Sequence, residues 1–370
     1  MNGTGEIVNA QATESSLLFE PWQLGRIELA NRVVMAPMTR NRADRDGVLP
    51  DSAVTYYQQR AGAGLIVSEA AQPSAAGQGY PGTPGIHDDR QEAQWAKIAD
   101  AVHARGGAIF CQLMHTGRMS HESFMPPGAK VVAPSPVRAE IEVETIDRVM
   151  VPAPVPTELD QDGIDGIIRD FADASERAVR AGMDGVEIHG ANGYLPHQFL
   201  SPGTNHRTDA YGGSPEARSR FVVELLRAVC DRIGHDRVGL RISPGGQFND
   251  MADKGNDETY LSLIDQIDEL RIAYLHTLRR RSTPLHEQLR GRWSTTYMLN
   301  TGFHGPSERE DIEPLLEAGQ ADLVSVGRLF ISNPDLLDRW RRGIERVEWD
   351  ESTFYTGGDR GYIDYPAVQH

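Results

Sequence analysis

The sequence predicts a (β/α)8 barrel, and three observations carry that prediction. Short apolar runs alternate with amphipathic stretches from about residue 33 to residue 345, the pattern of parallel strands joined by helical crossovers. Eight such units can be traced, the number that closes this kind of barrel. The first run passes into Ala36-Pro37-Met38-Thr39-Arg40 and not into the GxGxxG turn of an open, doubly wound nucleotide-binding sheet. A proline at that point has no backbone N–H to offer a phosphate.

The elements follow in order. Val33 to Ala36 reads as the first strand, Ala53 to Ala61 as a helix and Leu65-Ile66-Val67 as the second strand. Gln91 to Ala104 has Trp95, Ile98, Ala99 and Val102 on one helical face. Ala108 to Leu113 is the third strand. Residues 120–157 then interrupt the alternation with prolines and short alternating segments such as Lys130-Val131-Val132-Ala133. A stretch this long inside a barrel is expected to be a functional insertion, a hairpin-like lid. From Asp160 a helix with Ile164, Ile167, Ile168, Phe171 and Ala178 leads to the fourth strand at 185–188. Pro215 to Ile233 is a helix, Val238 to Ile242 the fifth strand, and Asp257 to Leu270 a helix striped by Leu261, Ile264 and Ile267. Ala273 to His276 is a weak sixth strand. The arginine-rich segment 279–292 reads as an irregular crossover. Tyr297 to Leu299, Glu308 to Ala318, Leu323 to Val326 and Pro334 to Ile344 complete the pattern. Residues 1–16 are polar, with no basic-then-apolar leader, and read as a loose tail before one domain at 17–370.

Composition narrows the function. A net charge of -16 argues against nucleic acid or an anionic membrane as the main partner. No run of 18 apolar residues is present, as a membrane-spanning helix would need. The two cysteines, Cys111 and Cys230, stand apart. They read as buried free thiols in a reducing cytoplasm, and no iron–sulfur, zinc or other metal site is expected.

In a barrel, functional groups belong at the C-terminal ends of the strands, and there the unusual residues fall. Thr39 follows strand one, Ala70 strand two, and Gln112 ends strand three. His189, Asn192 and Tyr194 follow strand four: an imidazole, an amide and a phenol within six positions. Two of these can hold an oxygen and one can deliver a proton, although a capped turn with a buried His and Tyr explains the same residues. Arg241 lies near the end of strand five, Gly302 follows strand seven, and Gly327-Arg328 follow strand eight. Barrels often bind phosphate between the last two loops, and glycines with an arginine suit that task. Gln112 and Arg241 can read the polar edge of a flat heterocycle. Phosphate and a redox-active ring together suggest FMN. A lyase or isomerase would normally show a strand-end Lys or a carboxylate–metal set, and none is evident.

Longer motifs are more specific. They are Asn31 to Arg40, Gln112-Leu113-Met114-His115-Thr116-Gly117-Arg118, His189 to Leu195, Ser201-Pro202 to Asn205, Arg207-Thr208-Asp209, Tyr211 to Ser214, and Gly361 to Pro366. With these the chain resembles the old yellow enzyme family of FMN-dependent ene reductases, from about Leu18 to Pro366. The resemblance implies that Pro37, Met38 and Thr39 border the isoalloxazine, with Ala70 and Gln112 on its pyrimidine side and Arg241 near N1 and O2. Gly302, Phe303, Gly327 and Arg328 would take the phosphate end. His189 and Asn192 would hold the substrate oxygen, Tyr194 would be the proton donor, and Tyr80, Met114 and Tyr355 would line the substrate pocket. NADPH or NADH would be the reductant and an electron-poor alkene the substrate, in a monomer or a dimer. The chain departs from the family pattern at Met114, often Trp in bacterial relatives, and at Ala217, more often Asn. Asn192 stands where some relatives have a second His, and Phe303-His304-Gly305 replaces a turn of small residues.

Overall fold

Eight parallel strands close on themselves in the computed structural model, which describes residues 16–368 except 252, 254, 280–283, 304 and 357. The strands are β1 (Val33–Met35), β2 (Leu65–Val67), β3 (Ile109–Leu113), β4 (Gly185–Gly190), β5 (Val238–Ile242), β6 (Tyr274–Leu278), β7 (Thr296–Asn300) and β8 (Leu323–Val326). Each pairs with its successor, and β8 returns to β1 with Val324 opposite Val33. The longer helices are α1 (Ser52–Gln59), α2 (Asp89–His103), α3 (Gln161–Arg180), α4 (Pro215–Ile233), α5 (Asp257–Ile267), α6 (Leu285–Arg292), α7 (Arg309–Glu317) and α8 (Leu336–Arg342). They start where the sequence supplies caps. Asp160 accepts from the Gly163 N–H at 2.8 Å, and Ser214 accepts from Ala217 just before Pro215. Such a cap contributes about 1 kcal/mol.

Alternation along the strands divides the core in two. Outward residues such as Val186, Ile188, Leu240 and Ile242 pack on the helices. Inward residues at the strand starts, including Val34, Leu65, Tyr274, Met298 and Leu323, pack with Leu24 and Leu29. Those leucines belong to an antiparallel hairpin, Trp22–Leu24 with Ile27–Leu29, that closes the N-terminal mouth. Three-residue strands this short gave no readable period in the sequence.

Segment 279–292 is not irregular throughout, because Leu285–Arg292 is helix α6. Its apolar anchors Leu285 and Leu289, four apart and buried, were hidden among charged neighbours. Residues 280–283 lie outside the described residues. The insertion contains the expected hairpin, Glu142–Glu144 against Met150–Pro152, and also a parallel pair, Val132–Ala133 with Thr157–Glu158. None of its residues lines the strand-end cavity. Ala139, Val143 and Ala153 instead pack in one cluster with Met114, Met119 and Tyr194, behind the cavity wall. The loose tail at 1–16 lies outside the described residues except for Ser16, whose hydroxyl caps the turn Leu17–Phe19. Cys111 is a buried free thiol as expected, whereas Cys230 is only partly buried.

Several motif residues are clamps. Arg118, almost fully buried, donates to the Val137 carbonyl of the insertion at 3.2 Å and to the Asp250 carbonyl after β5 at 2.7 Å. Arg207 donates to the carbonyls of Pro134 (2.9 Å) and Leu159 (2.6 Å). Arg40 and Arg42, just beyond β1, hold a C-terminal strap. Arg40 reaches the Phe354 and Gly361 carbonyls at 3.0 and 2.8 Å, and Arg42 reaches those of Thr353 and Gly358 at 2.9 and 2.8 Å. Tyr362 stacks on Tyr56 with ring centroids 4.2 Å apart.

Beneath this strap Glu69 is buried against the Arg40 backbone N–H (3.2 Å) and the Tyr57 hydroxyl (3.3 Å). Burial pushes its carboxyl up to about 7, against the pull of the Arg40 N–H and guanidinium. The unfolded chain releases this proton near pH 4 to 5 and the folded chain near 7, so stability from this group is full at low pH. It declines as pH rises through that window, by at most on the order of 3 kcal/mol. Glu69→Gln removes the decline. In urea titrations the variant gains on the wild type between about pH 5 and about 7, and parallel curves at every pH would refute the buried, protonated carboxyl.

Candidate active site

The C-terminal strand ends converge on one cavity of about 380 Å³, within the roughly 300–1,000 Å³ typical of cofactor and ligand pockets. β1 delivers Ala36, Pro37, Met38 and Thr39, Ala70 follows β2, and β3 gives Gln112 and then Met114. β4 and its turn give His189, Asn192 and Tyr194, and β5 gives Arg241. β7 contributes Asn300, Gly302 and Phe303, β8 leads to Gly327 and Arg328, and the strap adds Phe354 and Tyr355. All residues expected at the site line this cavity except Tyr80. Tyr80 packs edge-on beside Tyr194, with the two hydroxyls 3.2 Å apart.

The β4 turn explains why three polar side chains face one space. Glu187 and His189 point into the barrel by alternation. The chain then bends through Asn192 (φ 56°) and Gly193 (φ 80°), both in the left-handed region. A Cβ on Gly193 would lie 2.7 Å from that of Asn249, so only glycine fits. The bend is pinned on several sides. The Asn192 N–H donates to Ser243 Oγ (2.8 Å), the Gly193 N–H to His197 Nδ1 (2.9 Å) and Gln198 Nε2 to the Gly193 carbonyl (2.7 Å). Tyr194 then opens the short helix Leu195–Leu200, with its ring 5.0 Å from the His189 ring.

Protonation states follow from burial. Desolvation, with Arg241 and His276 nearby, holds the His189 imidazole well below its ordinary value, so it is neutral. Desolvation and the neighbouring Tyr80 hold Tyr194 well above the usual phenol value, so it keeps its proton. His189 Nδ1 and Arg241 Nε are both buried without a partner, at an energetic cost that a bound ligand relieves.

On the cavity floor Gln112 Nε2 donates to the Glu187 carboxylate at 2.7 Å, which turns the amide oxygen away from that carboxylate. At the other end Gly302 adopts φ 94°, and its N–H donates to Asn300 Oδ1 at 3.0 Å. Arg328 has no ion-pair partner among the described residues. The Phe303 ring is exposed and lies 5.9 Å from that of Phe248 at the rim, so what Phe303 offers an anionic tail is backbone. His304 lies outside the described residues. An unpartnered buried arginine, an oriented amide, and an arginine beside two glycines together suit a flat heterocycle with a phosphate tail, as in FMN. Among the described residues no group of three metal-ligating side chains occurs, and no helix is long and apolar enough to cross a membrane.

Several parts of the site were not legible in the sequence. Phe248 lies in a loop without period, and Phe354 reaches the wall only through the strap. Glu187, Asn300 and His276 sit inside strands, where inward polar residues look like ordinary alternation. The usable signal was that Glu187 lies two residues before His189 and so shares its face.

The family model for the NADH:flavin oxidoreductase / NADH oxidase family matches residues 17–346. A 12-oxophytodienoate reductase 7 of Oryza sativa subsp. japonica is 40% identical over 384 residues, covering 97% of this chain and 96% of the relative. A probable flavin mononucleotide-dependent alkene reductase of Leishmania infantum is 38% identical over 377 residues, covering 98% and 100%. Morphinone reductase in complex with tetrahydroNAD superposes with a TM-score of 0.90 at 43% identity, covering 95% of this chain and 98% of that one.

Proposed function

Because the chain belongs to the NADH:flavin oxidoreductase / NADH oxidase family, we propose that it is an FMN-dependent ene reductase. It uses NADPH or NADH to reduce the activated C=C bond of α,β-unsaturated carbonyl or nitro compounds. One juxtaposition carries this reading: two neutral hydrogen-bonding side chains, His189 and Asn192, beside a protonated Tyr194 in the cavity that also holds Arg241 and Arg328.

When bound, FMN supplies the hydride for the substrate β-carbon. The chain does the rest. Gly327 and Arg328 would hold the phosphate, with Gly302 allowing close approach while its own N–H stays bonded to Asn300 Oδ1. Gln112 and Arg241 hold the polar edge of the ring, and Pro37, Met38, Thr39 and Ala70 border it. His189 and Asn192 hold the substrate oxygen and stabilise the charge that develops there, in the manner of an oxyanion hole. Tyr194 gives its proton to the α-carbon. Met114, Tyr355 and the Phe248–Phe303 rim shape the apolar part of the pocket. The same two donors suit the oxygens of nitroaromatic compounds and nitrate esters.

The purified protein is expected to be yellow, to bleach anaerobically with NADPH, and to regain its colour with 2-cyclohexenone. Colourless protein that FMN cannot reconstitute refutes the reading. Bleaching without reoxidation by any enone or nitroalkene makes the protein a flavin binder without this activity.

A further inference from the structure

A continuous line of hydrogen bonds, buried except at its Gly302 end, crosses the barrel floor and joins the two ends of the cavity. The Gly302 N–H donates to Asn300 Oδ1 (3.0 Å), and Asn300 Nδ2 donates to Ser325 Oγ (3.0 Å). Ser325 Oγ lies 2.8 Å from His276 Nε2, and His276 Nδ1 lies 2.8 Å from Glu187 Oε2. The Tyr274 hydroxyl donates to the same carboxylate oxygen at 3.1 Å, and Gln112 Nε2 to the other at 2.7 Å. Glu187, His276, Tyr274 and Ser325 are fully buried.

The direction of the line follows from the donor inventory. A carboxylate only accepts, so His276 carries its proton on Nδ1 and accepts at Nε2 from the Ser325 hydroxyl. That leaves Ser325 Oγ to accept from the Asn300 amide, whose oxygen then faces the Gly302 N–H. With Glu187 ionised and His276 a neutral imidazole, every donor points toward Glu187, and Asn300 Nδ2 is held also by the Ser325 carbonyl at 3.0 Å. Desolvation opposes the charge on Glu187, but His276, Arg241 and Gln112 together hold its carboxyl below the ordinary value. Burial lowers the His276 value, against the pull of the Glu187 carboxyl beside it. Neither Glu187 nor His276 lines the cavity.

We propose that Glu187 is the positioning residue of this site, holding the Gln112 amide with its oxygen toward the ring edge and, through His276, Ser325 and Asn300, setting the Gly302 loop that meets the phosphate. The proposal rests on the flavin reading of the cavity. A buried carboxylate beside Arg241 also offsets part of that arginine's charge, which disfavours the electron-rich reduced ring. Glu187→Gln removes the charge and frees the Gln112 amide to turn.

The test is the midpoint potential and FMN dissociation constant of purified holoenzyme. Glu187→Gln shifts the two-electron reduction equilibrium at least tenfold toward reduced flavin, about 30 mV for such a couple, and weakens FMN binding at least tenfold. Ser325→Ala keeps the charge and cuts the line at its middle. It weakens FMN binding several-fold with the potential unchanged, and it serves if the first variant does not fold. A folded Glu187→Gln with wild-type potential and affinity overturns the role of Glu187, and Ser325→Ala with wild-type affinity overturns the link to the phosphate loop. Wild-type protein that binds no FMN refutes the flavin reading instead, so the two failures are distinct.

Discussion

Tyr194→Phe leaves reduction of the bound flavin by NADPH at its wild-type rate and slows reoxidation by 2-cyclohexenone about 10²–10⁴-fold, the usual worth of a positioned general acid. The substitution removes one oxygen from a ring already fixed by the pinned β4 turn and by packing against His189. The cavity keeps its shape, and what is lost is the proton together with the hydrogen bond to the Tyr80 hydroxyl. Anaerobic stopped-flow measurement of the two half-reactions separates the effects, and slowing of the first half alone means that Tyr194 is not the donor. Because burial keeps Tyr194 protonated and His189 neutral, the wild-type reoxidation rate is expected to be flat from about pH 6 to about 9. A change of slope near pH 6.5, the ordinary histidine value, would show that His189 acts as an imidazolium.

His189→Ala and Asn192→Ala each slow reoxidation about 10²–10³-fold, as removal of one oxyanion-type donor does. The pair costs less than the product of the single effects if both side chains hold one oxygen, since groups acting as a unit are not additive. His189 Nδ1 is buried without a partner, so the folded chain already carries the cost of that unmet group and alanine there should not lower stability through a lost hydrogen bond. Thermal unfolding of the flavin-free variants checks this point. Intact reoxidation by enones in the double variant would remove both residues from the mechanism.

The barrel was legible because each strand buries one face against helices, which leaves short apolar runs at regular intervals. The cavity was legible because strand ends are where a barrel places chemistry, and because His, Asn and Tyr just after a strand are uncommon. Its supports were harder to read. Leu285 and Leu289 of α6 mark a helix face only once burial is known. Glu187 and His276 look like surface alternation until the barrel closes around them. Tyr80 was expected to line the pocket because its role was carried over by resemblance, and no spacing argument could place it beside Tyr194.

The strap held by Arg40 and Arg42 bears on how the protein matures. Its contacts with Phe354 and Gly361 span 314 and 321 positions of sequence. On the ribosome, where domains form as they emerge, the last barrel strand, Leu323–Val326, leads Phe354 by 28 positions, so the strand ends emerge ahead of residues 354 and 355. The catalytic chamber is therefore finished after its scaffold, and a nascent chain can hold a nearly complete barrel while still lacking the wall that Phe354 and Tyr355 supply.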